Sequence, residues 1–339
     1  MVLFGFGNFD YGCRVIPSLP ICNLFFRQLL HHPKDTTAPA TSLLGLPDVT
    51  SADYGRALRE YGVGVNSSCY IPRAGFVGGL DGHYGNLANL ILCGIAVLVG
   101  LGLAAAALRR SAAVGRLEIT TFFIMYALVQ GAQLADNSAL LRAGSLEIVW
   151  VTAAHVGLLV GLFWVLVWVA FLSLQVVEDG TLFSLAPMFI IGTILTVGSG
   201  YIAADTGLQI TNFFRSDPPQ SLHSVWLFVL TIIWPAAAAF IYFIVQTAVV
   251  VRVLREKKPL FTLLGAAFVF CLSQAAYYAL SHKICTGTDA RIDGSWIATL
   301  LETVTVGLIY YAWMCVTEDE WEDQYLATDP SNPYAAQAY

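Results

Sequence analysis

Glu302 is the only charged residue in an otherwise uncharged, mostly apolar stretch, 294–316. A carboxyl in such surroundings can take up a proton, hold a cation or join hydrogen bonds between helices. An acid at mid-bilayer costs about 2.5–3.5 kcal/mol on insertion scales, so its presence asks for a reason. Thr299 and Thr303 share its helical face, with Ser295 one turn further back. Tyr126, Gln130, Gln133 and Asn137 form a second stripe, and Asp136 lies at the end of it. His155 follows Thr152 in a third stretch, and Gln274, Tyr277, Tyr278 and Ser281 share a fourth. The plain reading is hydrogen bonding between packed helices. The sharper readings are a surface that grips another membrane protein, or a catalytic or transport site. Gln130, Gln133, Asp136, His155, Gln274 and Glu302 are therefore the candidate intramembrane contacts.

The chemistry these residues could support is narrow. A metal-dependent membrane hydrolase needs paired His one turn apart plus an acid and a Ser. Here the adjacent pair is His31-His32, and His155, His223 and His282 fall on different stretches or ends. A retinal pump needs a Lys in its last span, and 294–316 has none. A G-protein-coupled receptor would carry Asp-Arg-Tyr after its third span and Asn-Pro-x-x-Tyr in its seventh; those places read VVEDG and VGLIYYAW. Neither a Gly-rich phosphate loop nor a Ser/Cys–His nucleophile pattern occurs. The expectation is a non-enzyme without cofactor or metal, and the competing reading is a small-solute transporter or orphan receptor.

These residues need helices to position them. Of 339 residues, 57% are hydrophobic and 12% charged, with mean hydropathy +0.67. Soluble domains carry roughly 25% charge. A net charge of −6 without basic clusters argues against nucleic-acid binding. Asp10, Arg14, Pro17 and Pro20 interrupt the first thirty residues, which do not read as a cleaved signal. About 20 mostly apolar residues cross a bilayer as a helix. Seven stretches qualify: 84–108, 117–141, 146–176, 181–204, 222–251, 259–281 and 294–316. Pro187 and Pro235 should kink the fourth and fifth. Ala153, Gly157 and Gly161 recur every four residues in the third and predict close packing.

Direction follows from the Lys/Arg bias of short loops. Arg109, Arg110 and Arg116, then Arg252, Arg255, Lys257 and Lys258, put the 1–2 and 5–6 loops in the cytosol. The expected fold is an all-α polytopic membrane protein with seven transmembrane helices, N-terminus lumenal and C-terminus cytosolic. It divides into a lumenal segment (1–83), the bundle (84–316) and an acidic cytosolic tail (317–339). Cys93, Cys271 and Cys315 fall inside spans, while Cys13, Cys22, Cys69 and Cys285 all fall on the lumenal, oxidising side. Two disulfides are expected there, with three pairings open. Asn66-Ser67-Ser68 is a lumenal glycosylation sequon crowded by Cys69. Residues 17–30 suggest a short helix at the membrane surface, and 33–53 a loop. The 1–83 segment reads as a disulfide-pinned cap. Beyond the last span, Glu318, Asp319, Glu320, Glu322 and Asp323 form a dense acidic run.

Several stretches resemble the fungal chitin synthase export chaperone family. They are LPICNLF (19–25), YGVGVNSSCYIPR (61–73), AVGRLEITTFF (113–123), VEDGT (177–181), LSQAAYYALSHKIC (272–285) and DGSW through YYAW (293–313). After Asp136 the chain departs from the family's proline-containing turn, reading Asn137-Ser138. The resemblance implies a non-enzymatic helper in the endoplasmic reticulum membrane. It would bind chitin synthase, a multispan enzyme, and permit its folding and exit toward the cell surface, supporting cell-wall chitin synthesis. On that reading the polar faces cover polar groups of the client's spans. The acidic run becomes an export signal for vesicle coat proteins, and the chain is able to travel with its client to the plasma membrane.

Overall fold

The computed structural model describes residues 5–31, 62–69, 71, 86–110, 113–138, 140–175, 177–211 and 213–328, with side chains as far as Thr317. The expected loop at 33–53 and the His32 half of the histidine pair lie outside the described residues. Two short helices open the chain, α1 (Asp10–Val15) and α2 (Cys22–His31). Seven helices long and apolar enough to cross a membrane follow. They are α3 (Leu87–Arg109), α4 (Arg116–Asn137), α5 (Leu146–Leu172), α6 (Leu182–Leu208), α7 (Val225–Leu254), α8 (Lys257–Gly287) and α9 (Ser295–Thr328). Each expected span is present; most ends move by a few residues, and α9 continues well past 316 to Thr328.

α5 is the hub. Over half of its most apolar window, 56%, is buried inside the protein, against 17% for α6, which leaves α6 mostly facing lipid. α5 packs on α2, α4, α6 and α7. Its small-residue face makes the α6 contact possible. A Cβ added to Gly157 would stand 2.5 Å from the Thr196 carbonyl oxygen, and one on Gly161 would stand 2.2 Å from Thr196 Oγ1. Across the same seam, a Cβ on Gly200 would lie 3.3 Å from the Ala153 carbonyl. Ser145 caps the N-terminus of α5, its Oγ accepting from the Ile148 N–H at 3.3 Å.

Both expected proline positions are inside helices. Pro187 lies within α6. Pro235 follows a π turn, Val229–Ile233, in α7. Pro has no N–H, and its ring crowds the carbonyl four residues back, so a widened turn just before it relieves both problems. α7 ends in a second π turn, Val250–Leu254, and α8 has a third at Ala276–Leu280.

The two faces of the bundle are closed differently. On the face where α4 and α6 begin, two loops grip each other through a pair of carboxylates. The Gly115 N–H donates to Asp179 Oδ2 (2.7 Å), and the Gly180 N–H donates to Glu118 Oε1 (3.0 Å), which also accepts from Ser184 Oγ at 2.7 Å. Gly115 and Gly180 both have φ +67°, with open space where a Cβ would go. Backbone handedness, not room, calls for glycine there. Glu118 thus ties the start of α4 to the start of α6.

The opposite face carries two disulfides, Cys13–Cys22 and Cys69–Cys285. The four cysteines set apart by position are the four that pair, and Cys93, Cys271 and Cys315 are free. The second bridge fastens a segment 216 residues earlier in the chain to α8. The helix expected from residues 17–30 forms as α2, but it is built into the protein. Leu24, Phe25, Phe26, Leu29 and Gln28 are buried among residues of α5, α6 and α7. Its polar side chains are matched to the loops that cover it. Arg27 Nη1 donates to the Gly144 carbonyl (2.5 Å), and Gln28 Nε2 to the Ser216 carbonyl (2.8 Å).

Candidate functional site

The polar stripes of α4 and α9 face each other. Tyr126 Oη and Thr303 Oγ1 are 2.9 Å apart, and Gln133 Nε2 reaches Thr299 Oγ1 at 3.5 Å. Thr299 in turn donates to Asn89 Oδ1 of α3 at 2.9 Å. From α8, Gln274 Nε2 donates to Glu302 Oε1 at 3.2 Å. Gln130 and His155 lie near the same carboxyl.

These groups surround a partly open cavity of about 390 Å3. Gln130, Gln133, His155, Gln274 and Glu302, five of the six candidate contacts, are in its wall. Asp136 is one bond outside it. It is fully buried, and its Oδ2 lies 2.7 Å from His155 Nδ1 while Oδ1 accepts from Thr152 Oγ1 at 2.7 Å. Asn23 Nδ2 of α2 then donates to Thr152 at 3.3 Å. A continuous polar path therefore runs from the disulfide-bearing cap to the cavity wall. The candidate contacts point into the bundle, not out to lipid.

The cavity has a polar and an apolar end. Glu302 is seven residues into α9, about 10 Å along the axis at 1.5 Å per residue. Phe122, Leu166 and Ile309 line the region nearer the opposite face. Over the polar end sit Phe9 and Leu19-Pro20-Ile21. The latter three belong to the loop closed by the Cys13–Cys22 bridge, so the disulfide shapes the lid. Two of the three π turns border the cavity, Thr231 and Ile232 from α7, Tyr277 and Tyr278 from α8. The first π turn of α7 packs on α5.

Two buried carboxylates escaped the sequence reading. Asp293 has no exposed surface and ties four elements together. It accepts from Asn86 Nδ2 before α3 (2.9 Å), Ser281 Oγ of α8 (3.2 Å), the Ser295 N–H of α9 (3.1 Å) and Ser18 Oγ of the N-terminal segment. Asp205, near the end of α6, accepts from the Thr211 N–H (2.5 Å), Thr211 Oγ1 (2.7 Å) and the Phe214 N–H (3.3 Å). An Asp just before a helix start, as in Asp293-Gly294-Ser295, was the available signal for the first.

Asn66 is exposed at φ +46°. Ser68, which completes the sequon, is engaged through its Oγ with the Arg14 carbonyl at 2.9 Å. The backbone of α9 continues through Glu318, Asp319, Glu320, Glu322 and Asp323, whose side chains lie outside the description. Among the described residues, no three His, Cys, Asp or Glu side chains are grouped to hold a metal ion.

The family model for the chitin synthase export chaperone matches residues 5–326, which takes in the cap, the cavity and all seven long helices. The chain belongs to the chitin synthase export chaperone family. A chitin synthase export chaperone of Chaetomium globosum is 27% identical over 329 residues, covering 94% of this chain and 84% of that protein. The Neurospora crassa protein of the same name is 26% identical, covering 94% and 78%. The Cryptococcus neoformans protein is 30% identical over 211 residues, covering 62% of this chain and 57% of that one. No solved structure matches the chain. Family membership does not favour the solute transporter or orphan receptor reading.

Proposed function

We propose that this chain is a membrane chaperone that binds chitin synthase in the endoplasmic reticulum and permits its folding and exit toward the cell surface. The observation that carries this reading is the family match across residues 5–326, cap and bundle together. On this reading the chain works by binding, without a catalytic step. The disulfide face is assigned to the lumen. Paired cysteines on that side and the arginines of the 1–2 and 5–6 loops on the other support this orientation.

A client span carrying polar groups for a polymer channel is costly to leave in lipid before assembly. A polar client side chain presented between α7 and α8 would meet Gln274 and Glu302. The other candidate contacts, Gln130, Gln133, Asp136 and His155, stand behind them. Glu302→Leu is expected to block surface delivery of chitin synthase while the chaperone remains abundant. This is read by fractionating the client between endoplasmic reticulum and plasma membrane. Normal delivery with normal co-precipitation would remove Glu302 from client contact.

The acidic run at 318–323 is proposed as an export signal. Its Glu318/Glu320 and Glu320/Glu322 spacings suit basic pockets on a vesicle coat subunit. Replacing its five acids by Ser is expected to slow exit of chaperone and client together severalfold in a vesicle-budding assay. Exit of both at the usual rate would reduce the run to a solvated tail.

A further inference from the structure

The cavity asks for a ligand more specific than bulk lipid. Gln130 is 1% exposed, lines the cavity, and its Oε1 has no hydrogen-bond partner. This acceptor is closed off from the cavity space as it stands, and a rotation of the Gln130 side chain would bring it to a donor from an occupant, relieving a cost of about 1–3 kcal/mol. Glu302, a partly buried residue, adds a carboxyl to the cavity wall. Among the described residues that line the cavity there is no Lys or Arg. A phosphate or carboxylate head would therefore be buried without a cation, which is strongly disfavoured. Beyond the polar end the walls are aliphatic and aromatic through to Ile309, and the 390 Å3 volume is in the range, about 300–1,000 Å3, of pockets that enclose whole small molecules.

We propose that the cavity binds one single-chain lipid whose head donates hydrogen bonds and carries no negative charge, a long-chain amine or alcohol. The head lies at Gln130 and Glu302, beneath the lid of Leu19-Pro20-Ile21. The tail runs along Leu162, Leu166 and Ile309. Entry is from the bilayer between α7 and α8, past the π turns that border the cavity. The site goes beyond the export reading and does not depend on it, because it is a property of the chain without a client.

The test uses the full chain purified into phosphatidylcholine nanodiscs, without chitin synthase. Three photoreactive lipids of equal chain length are compared: a long-chain amine, a long-chain alcohol and a fatty acid. The expected result is saturable labelling of peptides from α4 and α9 by the amine, the alcohol or both, with at least ten-fold less from the fatty acid. Q130L should lower that labelling about ten-fold, and Ala239→Phe, which fills the cavity without touching its polar groups, should do the same. Loss of amine but not alcohol labelling in E302Q identifies a charged head, and equal loss of both a neutral one. Intact disulfides and a monodisperse particle serve as the folding control for each variant. Equal labelling by the fatty acid, labelling confined to lipid-facing peptides of α6, or undiminished labelling in both cavity variants would overturn the proposal. Export assays in cells are read separately, so a failed lipid site leaves the client reading standing, and the reverse.

Discussion

Asp293→Ala is expected to lower the amount of folded protein more than ten-fold, the largest loss for any single polar substitution in this chain. The side chain is a fully buried acceptor for donors from the N-terminal segment, the start of α3, α8 and α9. Truncation orphans the Ser295 N–H and leaves Asn86 Nδ2 with only Ser295 Oγ, 3.1 Å away. Each orphaned buried donor costs about 1–3 kcal/mol, and the hydroxyls of Ser18 and Ser281 add to the loss. Repair by a shift of backbone is blocked nearby, since Gly294 is pressed against the Ala276 carbonyl, where an added Cβ would stand 2.2 Å away. Asp293→Asn keeps one acceptor oxygen and should fall between Ala and the natural residue. Fluorescence-detected size exclusion of tagged variants measures this. Equal recovery of all three would show that the knot contributes little.

The second large effect is expected at Gly157. Gly157→Ala puts a Cβ 2.5 Å from the Thr196 backbone oxygen, a group that cannot swing aside. α5 and α6 must then separate, at a cost of about 1–3 kcal/mol or more for overpacking. Gly198→Ala is the matched control on α6. Nothing lies within 4 Å of its added Cβ, so only the helix-propensity gain of about 1 kcal/mol applies. The thermal unfolding midpoint of the purified protein should fall for the first variant and hold or rise for the second. A rise in both would mean that the Gly157 seam is not the close contact described.

The spans were legible because lipid demands long apolar helices, and hydropathy records that demand directly. Their ends were less so. The sixth was read as stopping at 281, where His282 and Lys283 interrupt the apolar run, yet α8 continues to Gly287 and carries Cys285 into its bridge. The four oxidised cysteines could be sorted by side of the membrane, but pairing depends on how a segment folds back in space, which spacing does not encode. The polar stripes of α4 and α9 were visible as helical faces. Their convergence with His155 and Gln274 around one cavity was not, because periodicity gives a face and not its neighbour. α2 read as a surface helix since its Arg27 and Gln28 look solvent-bound. In the fold they meet carbonyls of Gly144 and Ser216. Asp205 and Asp293 looked like ordinary loop acids for the same reason, lying at helix ends where polar residues are common.

Co-purification tests the central claim most directly. The tagged chain, solubilised in mild detergent from cells held at the endoplasmic reticulum exit step, should bring down full-length chitin synthase, and its removal should strand that synthase inside the cell. Recovery of the chain free of synthase, together with normal synthase delivery in its absence, would contradict the account.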